Sequence, residues 1–472
     1  MADSRYAARR LYKDRWSLSV KATQFLSVVG LAFLLTYWIS DETYSDTAYY
    51  TLMLLFISVG LWITEAIPPF AVAILIMGYL IFALGSAYFN SEPIDPTKYT
   101  STLSSSIIWL LLGGFFLSQG MQKTRLDLAV FRFAASIFGS HPNKMLLGLM
   151  LTTLFSSMIL SNTAATAMMI ASVLPFIRTL EKNAPIAKAI LIGIPTAATI
   201  GGMGTIIGSP PNAVAVALLQ ERGTDLSFVG WMIIGIVPAI FLCLSFWVIL
   251  IKVFRSKRES LDLKIESGTQ EKVNLRDQRR VIFVLVTTVI LWFTTPIHHI
   301  PVAAVAFIPI VILPIFGIIT ARDFNNMPWD TLILVAGGLS LGMALEDAGL
   351  ITRFVNNLDI SSISPFLVML AFGWICMALS NVMSNTAAST VLLPVAISIL
   401  PSHSLEIAVV VSLSASCALL LPVSTPPNAI AFGTGFLKQK DFRLGGIVLG
   451  LLGPLVAVSW VYILSQMLDL TI

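Results

Sequence analysis

The feature that most constrains this chain is a series of long apolar runs whose charges, where present, sit only at the ends. They lie at about 22–40, 48–64, 68–88, 103–121, 189–219, 229–251, 281–299, 302–319, 330–346, 405–434 and 444–468. A helix that crosses a bilayer needs roughly 20 apolar residues, so these runs predict about eleven transmembrane helices. Only 11% of the 472 residues are charged, against about 25% in soluble domains. The runs are continuous rather than alternating, which excludes a β-barrel. The expected fold class is therefore an all-α polytopic membrane protein. A disulfide-built secreted domain and a nucleic-acid binder are excluded with it.

Cys243, Cys376 and Cys417 all fall inside apolar segments, where a free buried thiol is expected. The basic residues Arg5, Arg9, Arg10, Lys13, Arg15 and Lys21 precede the first run, which has no small-residue cleavage site after it. It reads as a retained span at 22–40 behind a cytoplasmic segment at 1–21. With the N-terminus cytoplasmic, 26 of the 29 Lys and Arg fall inside, and only Lys98, Arg222 and Arg353 remain outside. That asymmetry follows the positive-inside rule and puts the C-terminus outside, in a plasma (inner) membrane.

Two more apolar stretches, about 145–177 and 361–400, are each interrupted by a Ser-Asn-Thr triplet. Lys144 and Arg178 belong on the same side with 33 residues between them, whereas two spans and a turn need about 40. The first stretch is therefore expected to be a re-entrant hairpin open to the cytoplasm, and the second to open outward. The interruptions belong to a duplication. Leu61-Trp62 matches Leu291-Trp292, Gly113-Gly114 matches Gly337-Gly338, Ser161-Asn162-Thr163 matches Ser384-Asn385-Thr386, and Pro210-Pro211-Asn212 matches Pro426-Pro427-Asn428. The order is kept and the offsets stay between 216 and 230 residues. An odd number of spans separates equivalent points, so the second copy is expected upside down. This gives repeat 1 at 41–251, a cytoplasmic linker at 252–280 and repeat 2 at 281–472. Inverted repeats with broken helices place a transport site near the membrane midplane.

The chemistry concentrates at four interruptions. Prolines 210, 211, 426 and 427 end any preceding helix and force 189–219 and 405–434 to break. Carbonyls freed there suit a hard cation, and the helix that follows offers its N-terminal N–H groups to an anion. Ser161, Asn162, Thr163, Ser384, Asn385 and Thr386 add hydroxyls and amides at the hairpin tips. Polar residues of this kind often only join helices in membranes, but two identical triplets tied by the repeat to two Pro-Pro-Asn breaks point to a binding site. No Asp, Glu, Lys, Arg or His lies in the tips or at the Pro-Pro positions. A proton relay would be expected to show one. Sodium held by neutral oxygens is therefore the expected coupling ion. His298-His299 reads as a solvated pair in an external turn. The same want of a nucleophile, base or metal set argues against an intramembrane enzyme.

These motifs resemble those of the divalent anion/sodium symporter family, which includes sodium-dependent dicarboxylate and citrate carriers. The resemblance covers the chain after residue 40. It implies that Asn162, Thr163, Asn385 and Thr386 contact substrate carboxylates. It further implies one sodium among Ser157, Ser161, Asn162 and Gly208, and a second among Ser380, Ser384, Asn385 and Ser424. Ser209 and Thr425, one step along each break, extend the substrate set. The function implied is import of C4-dicarboxylates such as succinate, malate or fumarate by a homodimer with an elevator mechanism. A sodium-independent exchanger and a sulfate or tricarboxylate carrier are the alternatives within the same fold.

Overall fold

The computed structural model describes residues 2–129, 141–180, 184–254, 274–356 and 363–468. Every regular element among them is a helix. Seven are long and apolar enough to cross a membrane: Ser19–Ile39, Asp46–Thr64, Thr97–Lys123, Pro185–Gly204, Phe228–Val253, Trp329–Asp347 and Gln439–Met467. The remaining expected crossings rest on shorter apolar helices such as Pro69–Leu84 and Val302–Ile315. Asn385–Ile399 and Pro401–Ala415 form one apolar pair bent by 113°. Leu275–Phe293 begins with Arg276, Asp277, Arg279 and Arg280, so its apolar length is reduced.

The chain divides into two compact units, each drawing on both sides of the expected linker. Most of that linker, 255–273, lies outside the described residues. The first unit comprises residues 1–103 and 333–359. Here α1 (Ala2–Ile39) packs on α2 (Asp46–Thr64), and α2 packs on α3 (Pro69–Leu84). Ser45 starts α2 by accepting the Ala48 N–H at 3.2 Å. Gly60 lets α1 approach, since a Cβ there would lie 2.6 Å from Val28 Cγ1. Lys98 pairs with Asp347 at 2.7 Å, and Tyr99 donates to the same carboxylate at 3.1 Å.

The second unit, residues 104–332 and 360–472, carries both triplets and both breaks. It contains α4 (Ser106–Lys123), α5 (Pro142–Ser157), α6 (Asn162–Thr179), α7 (Pro185–Gly201), α8 (Pro210–Glu221) and α9 (Phe228–Val253). The chain continues through α10 (Leu275–Phe293), α11 (Phe307–Ile315) and α12 (Trp329–Asp347), most of which belongs to the first unit. Then come α13 (Pro365–Ser380), α14 (Asn385–Ile399), α15 (Ser404–Ala415), α16 (Pro426–Gly433) and α17 (Gln439–Leu468). Five of these helices, α5, α7, α8, α13 and α16, begin at a proline, whose fixed φ suits the first helical position and whose missing N–H costs nothing there.

The core of this unit is built around α7 and α15. All residues of α7 from Ala189 to Gly201 are buried, as is α15 from Ile407 to Ala415. Such all-round burial makes these two the central helices of the unit. Helix α7 packs against α5, α6 and α9, and α15 packs against α13, α14 and α17. Gly113 on α4 meets Ala306 at the kink before α11, where an added Cβ would lie 2.7 Å from the Ala306 carbonyl oxygen. Trp292 is buried and donates from Nε1 to the Val302 carbonyl at 3.0 Å. The cysteines Cys243, Cys376 and Cys417 are free and buried.

Candidate functional site

Each hairpin tip is a helix start set by its triplet. Ser161, with φ −62° and ψ 148°, caps α6 by accepting the Ala164 N–H at 3.2 Å. Ser384, with φ −64° and ψ 148°, caps α14 by accepting the Ala387 N–H at 3.2 Å. Asn and Thr then occupy the first turn, where N–H groups without helical partners carry the positive end of the helix dipole. The two tips thus share one local conformation.

The breaks follow the prolines. In the first, α7 ends at Gly201, Gly202–Gly204 tighten into a 3₁₀ turn, and α8 starts at Pro210. In the second, α15 ends at Ala415 and α16 starts at Pro426. The asparagine after each proline pair holds the loop behind it. Asn212 donates from Nδ2 to the carbonyls of Gly202 (2.8 Å) and Thr205 (2.7 Å). Asn428 donates to those of Leu421 (3.1 Å) and Leu419 (3.4 Å).

Tip and break are latched together in each half, by different groups. Thr205 donates from Oγ1 to the Met158 carbonyl at 2.5 Å and accepts the Gly208 N–H at 3.0 Å. In the other half, Asn381 Oδ1 accepts the Leu420 N–H at 2.9 Å. The glycines make the first latch sterically feasible. A Cβ on Gly201 would lie 2.3 Å from the Leu154 carbonyl oxygen, and one on Gly202 would lie 2.6 Å from Asn162 Oδ1.

Asn162 is the centre of the first cluster. The amide atom that meets Ser157 Oγ at 2.7 Å also faces the carbonyl oxygens of Ala198 (3.1 Å) and Gly208 (3.3 Å). As nitrogen it donates to these three oxygens. As oxygen it completes a set of four oxygens supplied by Ser157, Asn162, Ala198 and Gly208. Six oxygens at about 2.4 Å from a calcium-sized cation stand about 3.4 Å from their neighbours, so the 3.1 and 3.3 Å separations suit a hard cation in the second orientation. Three of the four residues in the first sodium set therefore meet here. Ser161, the fourth, caps its own helix start, and the Ala198 carbonyl joins without having been visible in the sequence.

In the second half, Ser380 Oγ and Asn385 Oδ1 are buried with no hydrogen-bond partner. Unsatisfied buried acceptors are rare and costly, and a cation would satisfy both. Ser424 donates to the carbonyls of Leu421 (2.8 Å) and Ala418 (3.2 Å). Ser384 is the helix cap. Among the described residues no hydrogen bond joins Ser424 to Ser380 or Asn385.

The substrate set divides by exposure. Ser161 and Thr163 are exposed, Asn162, Ser384 and Asn385 are half-buried, and Thr386 is buried. Ser209 is buried at the start of α8 with no cap bond, while Thr425 is buried and caps α16 through the Asn428 N–H at 3.3 Å. Helix α8 packs along α14, and α16 along α6. Arg222, just past the end of α8, donates to Ser398 near the end of α14 at 2.7 Å. The two helices therefore run parallel, and their N-termini, at Pro210 and Asn385, lie at the same end. An anion at that end meets the free first-turn N–H groups of α14 and the positive end of the α8 dipole, whose own first two positions, Pro210 and Pro211, carry no N–H and whose third, Asn212, donates to the Ser209 carbonyl at 3.0 Å.

No group of three or more His, Cys, Asp or Glu is placed to hold a metal among the described residues. His298 places Nε2 2.9 Å from the Leu291 carbonyl, and its Nδ1 accepts the Ile300 N–H at 2.9 Å. Both ring nitrogens are thus engaged in the turn, which leaves neither for a metal.

A family model described as citrate transporter matches residues 59–415. The chain belongs to the citrate transporter family. It is 30% identical to the sodium-dependent dicarboxylate transporter SdcS of Staphylococcus saprophyticus over 494 aligned positions, which cover 96% of this chain and 93% of that one. It is 30% identical to SdcS of Staphylococcus aureus over 443 positions, covering 85% of this chain and 83% of that one. Among solved structures it resembles the Alcanivorax borkumensis YdaH transporter, with a TM-score of 0.55 at 12% identity, covering 85% of this chain and 98% of that one. Neisseria gonorrhoeae MtrF gives 0.54 at 12% identity, covering 86% of this chain and 96% of that one. At that identity the likeness is one of fold. The protein is a polytopic helical transporter rather than an enzyme, and the resemblance seen in its triplets and proline breaks is that of its family.

Proposed function

We propose that the protein is a secondary active transporter that imports C4-dicarboxylates with sodium. The observation that carries this is the cluster of neutral oxygens that Ser157, Ala198 and Gly208 turn toward Asn162, with no charged side chain among them. A dianion placed at the helix N-termini has no cationic residue to meet it. A cation co-bound at neutral oxygens supplies the missing charge, and the relatives named as sodium-dependent dicarboxylate transporters support sodium and a dicarboxylate as the pair.

In this reading Ser157, Ser161, Asn162 and Gly208, joined by the Ala198 carbonyl, hold one sodium. Ser380, Ser384, Asn385 and Ser424 hold a second. Asn162, Thr163, Asn385 and Thr386 receive the two carboxylates, with Ser161, Ser384, Ser209 and Thr425 at the margin of that set. The family resemblance supports an elevator in a homodimer, and the asymmetry of the Lys and Arg residues supports a cytoplasmic N-terminus with hairpins opening to opposite sides of a cell membrane.

The energetics favour cation coupling. Moving a dianion into a negative-inside cell costs about 4.6 kcal/mol per 100 mV. Two sodium ions cancel that term, and a tenfold sodium gradient contributes about 1.4 kcal/mol per ion. The test is uptake of labelled succinate into proteoliposomes. An inward sodium gradient should drive accumulation above the external concentration. Equal uptake with sodium equilibrated, or counterflow that needs no sodium, would favour an exchanger.

A further inference from the structure

Asn212 is fully buried in the first turn of α8. Its Nδ2 is committed to the carbonyls of Gly202 and Thr205, at 2.8 and 2.7 Å, inside the break that ends at Gly208. Because both partners are acceptors, the amide orientation is fixed and Oδ1 must face away from the loop. There it accepts a hydrogen bond of 2.8 Å from Ser412 Oγ. Ser412 is also fully buried, and it stands three residues before α15 ends in the second break. One side chain therefore touches the loop of the first break and the helix that leads into the second.

The repeat-related position lacks this link. Asn428 holds its own loop through Leu421 and Leu419, yet its Oδ1 is buried with no partner. Thr196 on α7 stands at the same 216-residue offset from Ser412 that relates the two breaks. It is buried, but it does not satisfy Asn428 Oδ1. The connection is one-sided, so it is not a by-product of the duplication.

We propose that the Asn212–Ser412 hydrogen bond couples the two cation-binding regions, so that sodium at either one raises the affinity of the other. This rests on the sodium-coupled reading above. A cation drawing on the Gly208 carbonyl orders the 202–208 loop, and that loop fixes Asn212 through its two carbonyl bonds. Asn212 then holds Ser412 and the last turn of α15, which leads into the segment that presents Ser424. Coupling of this kind is reciprocal. Asn212 and Ser412 are positioning residues that touch neither ion nor anion.

The test is equilibrium binding of radioactive sodium to the purified full-length protein without substrate. Independent sites give a Hill coefficient of 1, and coupled pairs approach about 2. The wild type is expected well above 1. Ser412→Ala should lower the coefficient toward 1 and raise half-saturating sodium about 2- to 10-fold. Thr196→Ala, the repeat-related hydroxyl, should leave the coefficient unchanged. If the alanine variant does not assemble, Ser412→Cys keeps the volume with a weaker donor and serves the same comparison. A wild-type coefficient of 1, an unchanged coefficient in the Ser412 variant, or an equal fall in Thr196→Ala would overturn the coupling and leave the sodium reading standing. A wild type that binds no sodium would overturn both.

Discussion

Gly202→Ala perturbs the proposed sodium site without altering any of its ligands. The added Cβ would lie 2.6 Å from Asn162 Oδ1, 2.9 Å from the Gly208 carbonyl oxygen and 3.1 Å from Asn162 Nδ2. Two of these separations are below 3.0 Å, and one of those involves backbone, so something must shift. The Gly208 side cannot yield easily, because its N–H is held by Thr205 Oγ1 at 3.0 Å. Asn162 therefore moves away from Ser157, Ala198 and Gly208. Overpacking of this kind costs about 1–3 kcal/mol, which on a site that must re-form to bind is about a 5- to 150-fold loss of affinity. The assay is half-saturating sodium for succinate uptake, with assembly checked by gel filtration. Gly78→Ala is the control, since a Cβ there meets nothing within 4 Å. Wild-type sodium dependence in assembled Gly202→Ala would refute the placement of a cation between the hairpin tip and the first break.

Asn162→Ala and Asn385→Ala should each reduce sodium-driven uptake at least tenfold while the protein still assembles; near-normal uptake in both would remove the shared ion and substrate role. Thr163→Ala and Thr386→Ala each delete one donor to a carboxylate and should weaken succinate by about 1–3 kcal/mol, with sodium binding in the absence of anion little changed; the reverse pattern would reassign these hydroxyls to the ion. Lys188, near the start of α7, pairs with Asp441, near the start of α17, at 3.2 Å, with side-chain exposures of 15% and 9%. Asp441→Asn strands that lysine and should lower stability by about 3 kcal/mol, read as a clear fall in melting temperature in detergent. Asp323 lies in the short helix Ala321–Asn325, where burial pushes its carboxyl up but hydrogen bonds from Lys123 and Thr320 outweigh it and hold it at about 2. Its folded value is depressed, so this latch contributes fully above about pH 4 and fades only as pH falls toward 2. Succinate uptake scanned between pH 5 and 8 should give the same profile in Asp323→Asn as in the wild type.

The hairpin tips and the breaks were legible because each is written in residue types that stand out against an apolar background. A Ser-Asn-Thr triplet or a proline pair in the middle of a hydrophobic run has few structural uses. The long apolar runs likewise revealed an all-helical membrane protein. What remained hidden is carried by groups with no residue-type signal. The Ala198 carbonyl joins the cation set through helix phase alone. The latch from Thr205 to Met158 ends on a backbone oxygen, and Asn381 and Ser412 look like ordinary polar residues in apolar helices. Kinks within the apolar runs were also beyond the hydropathy pattern. The run at 302–319 is kinked at Ala306, where Gly113 packs against it, and that contact comes from a helix nearly two hundred residues earlier. The helix-capping bonds of Ser161 and Ser384 add a local task to each triplet that its position at a helix start explains.

The central claim is that a neutral, oxygen-built site binds a dianion only with the help of a co-bound cation. Equilibrium binding of labelled succinate to the purified protein, in sodium and then in potassium at equal ionic strength, tests it most directly. Succinate should bind in sodium with an affinity that rises with sodium concentration, and should lose at least tenfold in potassium. Equal affinity in the two salts would contradict the claim and require the anion's charge to be met by groups outside the hairpin tips and helix breaks.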